Sequence, residues 1–281
     1  MSDVFTAARN LASGLLVCTC LMISAADAQE SGKVINVGTG NYAPLEFKDP
    51  QTGELTGFNH DLFNAMAKKA GFKVNWIEAS YLEQASFAPL KTGRVDIQSG
   101  VMGDTPERRE IGVNFIDFMY DPAYFYTLSG KANQFVDAAV LCGKRVANVR
   151  GSKMMTTAVD HWSEENCTKA GRPAVIQVDV ASTGEEKLML KQGRVDAAFT
   201  AVSALVQGAQ AGDDAYKALG TPLSKFTYGF PFLEKNREVA ETLKKALDEL
   251  IADGTYAQLM NKWGLPDDCS IGKVASINAG K

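Results

Sequence analysis

The chain has only two histidines and five cysteines, and no strong excess of charge of either sign. Each scarcity excludes a class. Two histidines cannot furnish a His-rich metal site. Five cysteines are too few for a disulfide scaffold in a chain of 281 residues. A formal net charge of −4 gives no general attraction to nucleic acid or anionic lipid. There is no nucleophile elbow, no H-E-x-x-H pair and no phosphate-binding glycine loop. His60 and His161 stand far apart, and neither has a motif around it. What remains is ordinary globular composition, 46% apolar and 22% charged, which excludes disorder, collagen and a long coiled coil. The length suits one large domain or two of average size, with a real core.

Residues 1–28 read differently from the rest. Arg9 is their one basic residue, an apolar run follows from Leu11 to Ala26, and Ala26-Asp27-Ala28 is a small-x-small pattern. That order is a secretory signal peptide cleaved after Ala28, which sends the chain to the periplasm. The run is shorter than the ~20 residues of a membrane span, and no basic stop-transfer cluster follows it. Cleavage removes Cys18 and Cys20 and leaves Cys142, Cys167 and Cys269. In an oxidising compartment two of these three are expected to pair.

The remaining chain echoes itself. Leu90-Lys91-Thr92-Gly93-Arg94-Val95-Asp96 recurs as Leu190-Lys191-Gln192-Gly193-Arg194-Val195-Asp196. In each copy the glycine suits the position just past a helix end, where a positive φ costs it little, and a buried strand follows. More weakly, the strand pattern from Gly32 to Val37 matches that from Gly143 to Val149. The patterning predicts a helix over Asn59–Ala70, capped by Asn59 and stopped by Gly71, then a strand Lys73–Ile77. In the second half it predicts a helix over 153–169, ended by Gly171 and Pro173, then a strand Ala174–Val178. A tail helix Glu238–Ala252 with Val239, Leu243, Leu247 and Leu250 on one face, and a short helix Tyr256–Lys262, are expected to pack on the first half. Alternating β and α elements imply an α/β fold with parallel-type sheets and helices on both faces. Two similar lobes make a cleft between them a natural ligand site.

At this point the residues resemble a known family. Tyr42-Ala43-Pro44 with Glu46-Phe47, Gly57-Phe58-Asn59-His60-Asp61-Leu62, Gly93-Arg94-Val95-Asp96 and Thr105-Pro106-Glu107-Arg108-Arg109 come in order. Phe115-Ile116-Asp117 with Tyr120, and the ending Ala252-Asp253-Gly254-Thr255-Tyr256 through Trp263-Gly264, complete the series. Together they are similar to the periplasmic solute-binding proteins of polar amino-acid ABC transporters, family 3. The resemblance implies the type II two-lobe periplasmic-binding-protein fold, with ligand held between lobes that close about a hinge. Lobe one would comprise 33–127 plus 224–270 and lobe two 131–221, with crossings near 128–130 and 222–225 and a polar tail over 271–281.

The same resemblance implies the site. Arg108, in the first turn of a helix capped by Thr105 and opened by Pro106, would grip a ligand carboxylate with two parallel hydrogen bonds. Ser152, at the start of the second lobe's long helix, would offer backbone amides to the same group. Lys153 departs from the family pattern, and is either a solvated lysine or a second positive group. Tyr42 would cover the ligand, and Tyr81 or Glu83 would stand at the lobe-one wall. Gly100, Val101 and Gly103 would supply backbone contacts. The aspartate that usually meets the ligand's ammonium is Ala201 here. The ligand would then be a small organic anion, or an amino acid whose ammonium rests on neutral acceptors such as Asn41 and Thr200. Cys142 and Cys167 match a cysteine pair of some members, which leaves Cys269 unpaired, reactive or buried.

The expected function is the extracytoplasmic component of an ABC importer, a monomer without a cofactor. It would bind a small carboxylate-bearing solute and pass it to membrane permease subunits. The rival is a periplasmic cyclohexadienyl or arogenate dehydratase of the same fold, since Thr39-Gly40-Asn41-Tyr42 is similar to its opening turn. That chemistry needs a general acid, for which Glu83 is the nearest candidate.

Overall fold

A computed structural model describes residues 32–135, 138–150, 153–210 and 215–280, apart from the side chains of 138, 153 and 207–210. The leader therefore lies outside the described residues. Strand β1 (Val34–Thr39) leads through the hairpin β2 (Phe47–Lys48) and β3 (Leu55–Thr56) to helix α1 (Phe58–Lys69) and strand β4 (Lys73–Glu78). Short helices α2 (Tyr81–Ala85) and α3 (Ala88–Lys91) precede β5 (Ile97–Gln98), β6 (Met102–Gly103) and helix α4 (Pro106–Glu110). A long strand, β7 (Val113–Leu128), enters the second half. There follow β8 (Arg145–Val149), α5 (Lys153–Asn166), β9 (Ile176–Val180), α6 (Thr183–Lys191), β10 (Ala197–Ala201) and α7 (Val202–Gln210). A second long strand, β11 (Tyr216–Leu233), returns to the first half, and α8 (Arg237–Ala252), α9 (Thr255–Lys262) and β12 (Ser276–Ile277) end the chain.

The parallel pairing expected of each half is present: β1 with β4 and β5, β8 with β9 and β10. The long strands β7 and β11 pair antiparallel with each other and join the two halves into one mixed sheet, in the order β4-β1-β5-β11-β7-β10-β8-β9, apart from the β2–β3 hairpin. The echo does the same work twice. Gly93 and Gly193 take φ of 76° and 66° just after their helices, where a side chain would be strained. The following aspartates each pin a strand: Asp96 accepts from the Asn36 amide at 2.8 Å, Asp196 from the Arg145 amide at 3.0 Å.

Local caps differ from the reading above. Helix α1 starts one residue earlier, with Gly57 at φ 122° as N-cap. Asn59 lies inside the first turn, buried, and its amide donates to the Ser99 carbonyl at 2.7 Å. Helix α5 ends at Asn166 and a 3₁₀ turn, Thr168–Ala170, carries the chain to Gly171. Strand β9 begins two residues after the predicted Ala174.

One core gathers Ile35, Val37, Phe58, Phe63, Phe118 and Phe230 with Val239, Leu243, Leu247 and Leu250, so the tail helix does pack on the first half. Phe118 and Phe230 stack there with centroids 4.0 Å apart. A second core holds Ala123, Phe125, Val146, Val159, Phe199 and Leu219. Side chains of β7 thus change core between Met119 and Ala123, and those of β11 between Leu219 and Tyr228.

Cys142 and Cys167 are joined, with Cα atoms 5.4 Å apart. Closing that loop restricts the unfolded chain by about 3 kcal/mol. A Cys142→Ala, Cys167→Ala double variant is expected to lose about that much in urea unfolding, and an unchanged midpoint would refute a stabilising role. Cys269 is buried in the first core, where burial pushes its thiol up and makes it inert.

The polar tail is a structural element. Strand β12 pairs with Ile116 and Asp117, Asn278 accepts from the Phe115 amide at 2.8 Å, and Asp117 accepts from the Ala279 amide at 2.8 Å. Gly280 sits between Asp104 and Arg109, donating to one at 2.7 Å and accepting from the other at 2.8 Å. A Cβ there would lie 2.2 Å from the Asp104 carbonyl oxygen, so only glycine fits. Ending the chain at Ala275 removes these bonds and leaves Asp104 and Asp117 short of donors. The expected loss is about 2–4 kcal/mol, measured as a fall in Tm; an unmoved Tm would show the tail to be passive.

Candidate functional site

Helix α4 presents Arg108. Pro106 is its first residue, as expected, but Thr105 caps it with backbone alone: its carbonyl accepts from the Arg108 and Arg109 amides, at 3.1 and 3.2 Å, and its hydroxyl makes no cap bond. The Arg108 guanidinium donates to the Gly103 carbonyl at 2.6 Å and lies 5.5 Å from the Phe87 ring centroid. Burial disfavours its charged form, while Tyr81, Tyr228, Glu107 and Asp104 favour it. It makes no salt bridge among the described residues. A desolvated guanidinium with spare donors is a seat for an anion.

Across the β6–β11 pairing from Gly103 stands Tyr228. Its phenol is pushed up by burial and then by Asp121, Tyr42 and Tyr81, and drawn down by Arg108. Tyr42 leaves 38% of its surface open, yet its hydroxyl end is enclosed and meets the Ser203 hydroxyl. Its turn is closed by the Leu45 and Glu46 amides, which both donate to the Tyr42 carbonyl at 2.9 Å. Tyr81 opens α2 and is largely exposed. Beside it a cavity of about 310 Å³ is lined by Thr39, Gly40, Asn41, Glu78 and Tyr81, among others. Tyr42, Tyr81, Gly103 and Arg108 are therefore brought together.

Other expected residues stand differently. Gly100 is glycine for Gln84: a Cβ would lie 1.9 Å from the Gln84 Oε1, so the space is taken by that side chain. At Gly103 a Cβ would come 3.1 Å from the sulfur of Met154, which reaches over from α5. Val101 is half-buried and leans on the first core. Thr200 is buried on β10 opposite Tyr124, and the pleat turns it to the face away from Ala201. Ser152 and the Lys153 side chain lie outside the described residues.

Glu83, the candidate acid, closes a capping box with Ser80 at 2.8 Å and meets Arg94 at 3.0 Å. The Ser80 amide and hydroxyl, then Arg94, hold its carboxyl below the usual range. An exposed, paired carboxylate of that kind is a poor proton donor.

The sequence reading missed Asp121, Ser203, Tyr228, Gln84 and Met154. Asp121 left a signal, a carboxylate in the apolar run from Phe115 to Phe125. It is fully buried, and accepts from the Ser203 amide at 3.1 Å and hydroxyl at 2.6 Å.

The model of the bacterial extracellular solute-binding proteins, family 3, matches residues 35–266. A histidine-binding periplasmic protein of Salmonella typhimurium is 30% identical over 241 residues, 82% of this chain and 86% of that one. The L-cystine-binding protein TcyA of Bacillus subtilis is 29% identical over 233 residues, 82% of this chain and 81% of the relative. Among solved structures, a probable amino-acid ABC transporter extracellular-binding protein, ytmK of Bacillus subtilis, superposes with a TM-score of 0.74 at 26% identity. That match covers 84% of this chain and 99% of ytmK, and the fold is the type II periplasmic-binding-protein fold. The chain belongs to the bacterial extracellular solute-binding proteins, family 3.

Proposed function

We propose that this protein is the periplasmic solute-binding component of an ABC importer and hands a small carboxylate-bearing solute to a membrane permease. The carrying observation is Arg108: a half-buried guanidinium without a salt bridge among the described residues, with Tyr81 and Tyr228 near it. The solute's carboxylate lies against Arg108, and the amides after Ser152, with Lys153, close on it from the second lobe. The two lobes keep the order expected from the sequence, but we set the hinge at 120–122 and 224–227, where the long strands pass between the two cores, so that lobe one ends near residue 119 instead of 127. The protein acts as a monomer and holds the solute without transforming it, for Glu83 is committed to Ser80 and Arg94.

A thermal-shift panel of amino acids, 2-oxo acids and dicarboxylic acids tests the reading. At least one carboxylate-bearing solute is expected to raise Tm by several degrees, and prephenate and arogenate to remain unconverted. Stabilisation solely by neutral solutes, or turnover of either dehydratase substrate, would overturn it.

A further inference from the structure

Helix α4 carries Arg108 but has little of its own to hold it in place. It is five residues long, buries none of its side chains and has no side-chain cap. A single helical turn is unstable by itself, because the dihedrals it fixes outweigh its few bonds. What secures it comes from far along the chain. The Arg109 guanidinium pairs with the Asp104 carboxylate and donates to the Gly280 carbonyl at 2.8 Å, and the Gly280 amide donates back to Asp104 at 2.7 Å. The result is a closed ring of three groups, with the Asp104 side chain wholly buried. Its bonds involve an ionised partner and are therefore the strong kind. The ring is fixed to the sheet, since the Asp104 amide donates to the Thr227 carbonyl of β11 at 2.9 Å. It clamps the chain on both sides of Arg108. Asp104 follows Gly103, whose carbonyl accepts from the Arg108 guanidinium at 2.6 Å, and Arg109 follows Arg108 directly.

Gly280 reaches this place along an unbroken series of anchors. Strand β12 pairs with Ile116 and Asp117. Asn278 accepts from the Phe115 amide at 2.8 Å and donates its own amide to the Phe115 carbonyl at 3.1 Å, and the Ala279 amide meets Asp117 at 2.8 Å. Gly280 is then buried against Asp104, where a Cβ would come within 2.7 Å of that side chain as well as 2.2 Å of its carbonyl oxygen. We propose that residues 276–280 are a strap that positions Arg108: through Asp104 and Arg109 they pre-set the guanidinium for the solute, so that loosening the strap weakens binding beyond its cost in stability. Ordering a long side chain before the solute arrives spares that cost at the moment of binding. This rests on the carboxylate reading of Arg108. Gly280 and Arg109 are positioning residues, acting through Arg108.

The test compares wild type with Gly280→Ala, Arg109→Ala and Arg108→Lys, and with Leu250→Ala as a control that opens a cavity in the first core. Hydrogen exchange of residues 107–112 is measured without solute. Affinity is measured by calorimetry well below every Tm, with the proteinogenic L-amino acids, L-cystine, 2-oxoglutarate and succinate as probes. Gly280→Ala and Arg109→Ala are expected to quicken exchange in 107–112 at least tenfold and to weaken each bound probe about tenfold. Leu250→Ala is expected to lower Tm at least as far and to change neither reading. Wild-type exchange in both strap variants, or weakening by Leu250→Ala in step with its Tm, would overturn the proposal. If the strap variants bind every probe as wild type does while Arg108→Lys weakens binding, the strap fails and Arg108 stands. If Arg108→Lys leaves every bound probe unchanged, or none of these probes binds wild type, the carboxylate reading fails and the strap with it.

Discussion

Replacing Arg108 by alanine weakens solute binding by roughly 100- to 1,000-fold, and by lysine about 30-fold. The larger figure follows from removing one partner of a desolvated charge pair, which costs about 3–4 kcal/mol. Lysine keeps the charge but has no planar fork, so it forms one of two parallel bonds and its ammonium is more strongly hydrated. The site makes the difference sharp, because Arg108 already spends one donor on the Gly103 carbonyl and faces the Phe87 ring. A lysine that reaches the solute abandons that carbonyl. Neither variant should unfold the protein, since Arg108 belongs to neither of the large cores. Equal Tm values without solute, together with the loss of affinity in calorimetry, would establish a binding role. Affinity unchanged in Arg108→Lys would remove the residue from the site.

The second large effect is on stability against pH. Glu46, Asp121 and Glu186 are buried carboxyl groups, and burial pushes them up, to about 7, about 7 and about 8. Asp117 moves the same way, by burial and then by the neighbouring Asp104. In the unfolded chain all four ionise near their ordinary values. Between about pH 4.5 and pH 7–8 the folded state therefore holds more protons than the unfolded state. Stability then falls as pH rises through that window, the reverse of ordinary acid denaturation. For Glu46 alone the shift corresponds to about 3 kcal/mol. Its hydrogen bonds from Ser99 at 2.7 Å, Gly40 at 2.9 Å and Thr39 at 3.2 Å limit the penalty without cancelling it. The expected result is a Tm several degrees higher at pH 5 than at pH 8, with a shallower slope in Glu46→Gln. Exposed pairs such as Lys69–Asp253 contribute little to this window. A Tm that is flat or rises toward pH 8 would show that these carboxyls titrate normally.

How much could be read beforehand depended on whether a residue's role is local. The glycines at 93 and 193 were legible because a helix end needs a positive φ and leaves its mark within a few residues. The stripe Val239, Leu243, Leu247 and Leu250 was legible for the same reason, and all four are buried. Asn59 misled because a polar residue before an apolar stretch looks like a cap. Its partner, the Ser99 carbonyl, is 40 residues away. Gly100 was expected to supply backbone contacts to a solute; what the sequence did not reveal is that Gln84 fills the space a Cβ would take there. The tail was legible only as polar, whereas the pairing of β12 with β7 brings further donors to Asp117 and Asp104. Arg108 came from an ordered series of motifs. Asp121 left only the mark of a carboxylate in an apolar run, because its surroundings come from three strands and a helix: its own, β10 beside it, β11 with Tyr228, and α7 with Ser203.

The central claim, a solute held by its carboxylate on Arg108, is tested most directly by mass spectrometry of whatever the purified protein carries. Protein is isolated without denaturation, and the bound solute is then released and weighed, in parallel for wild type and Arg108→Ala. The account predicts a small carboxylate-bearing solute from the wild type and its absence from the variant. A released solute without a carboxylate, or the same solute retained equally by both proteins, would contradict it.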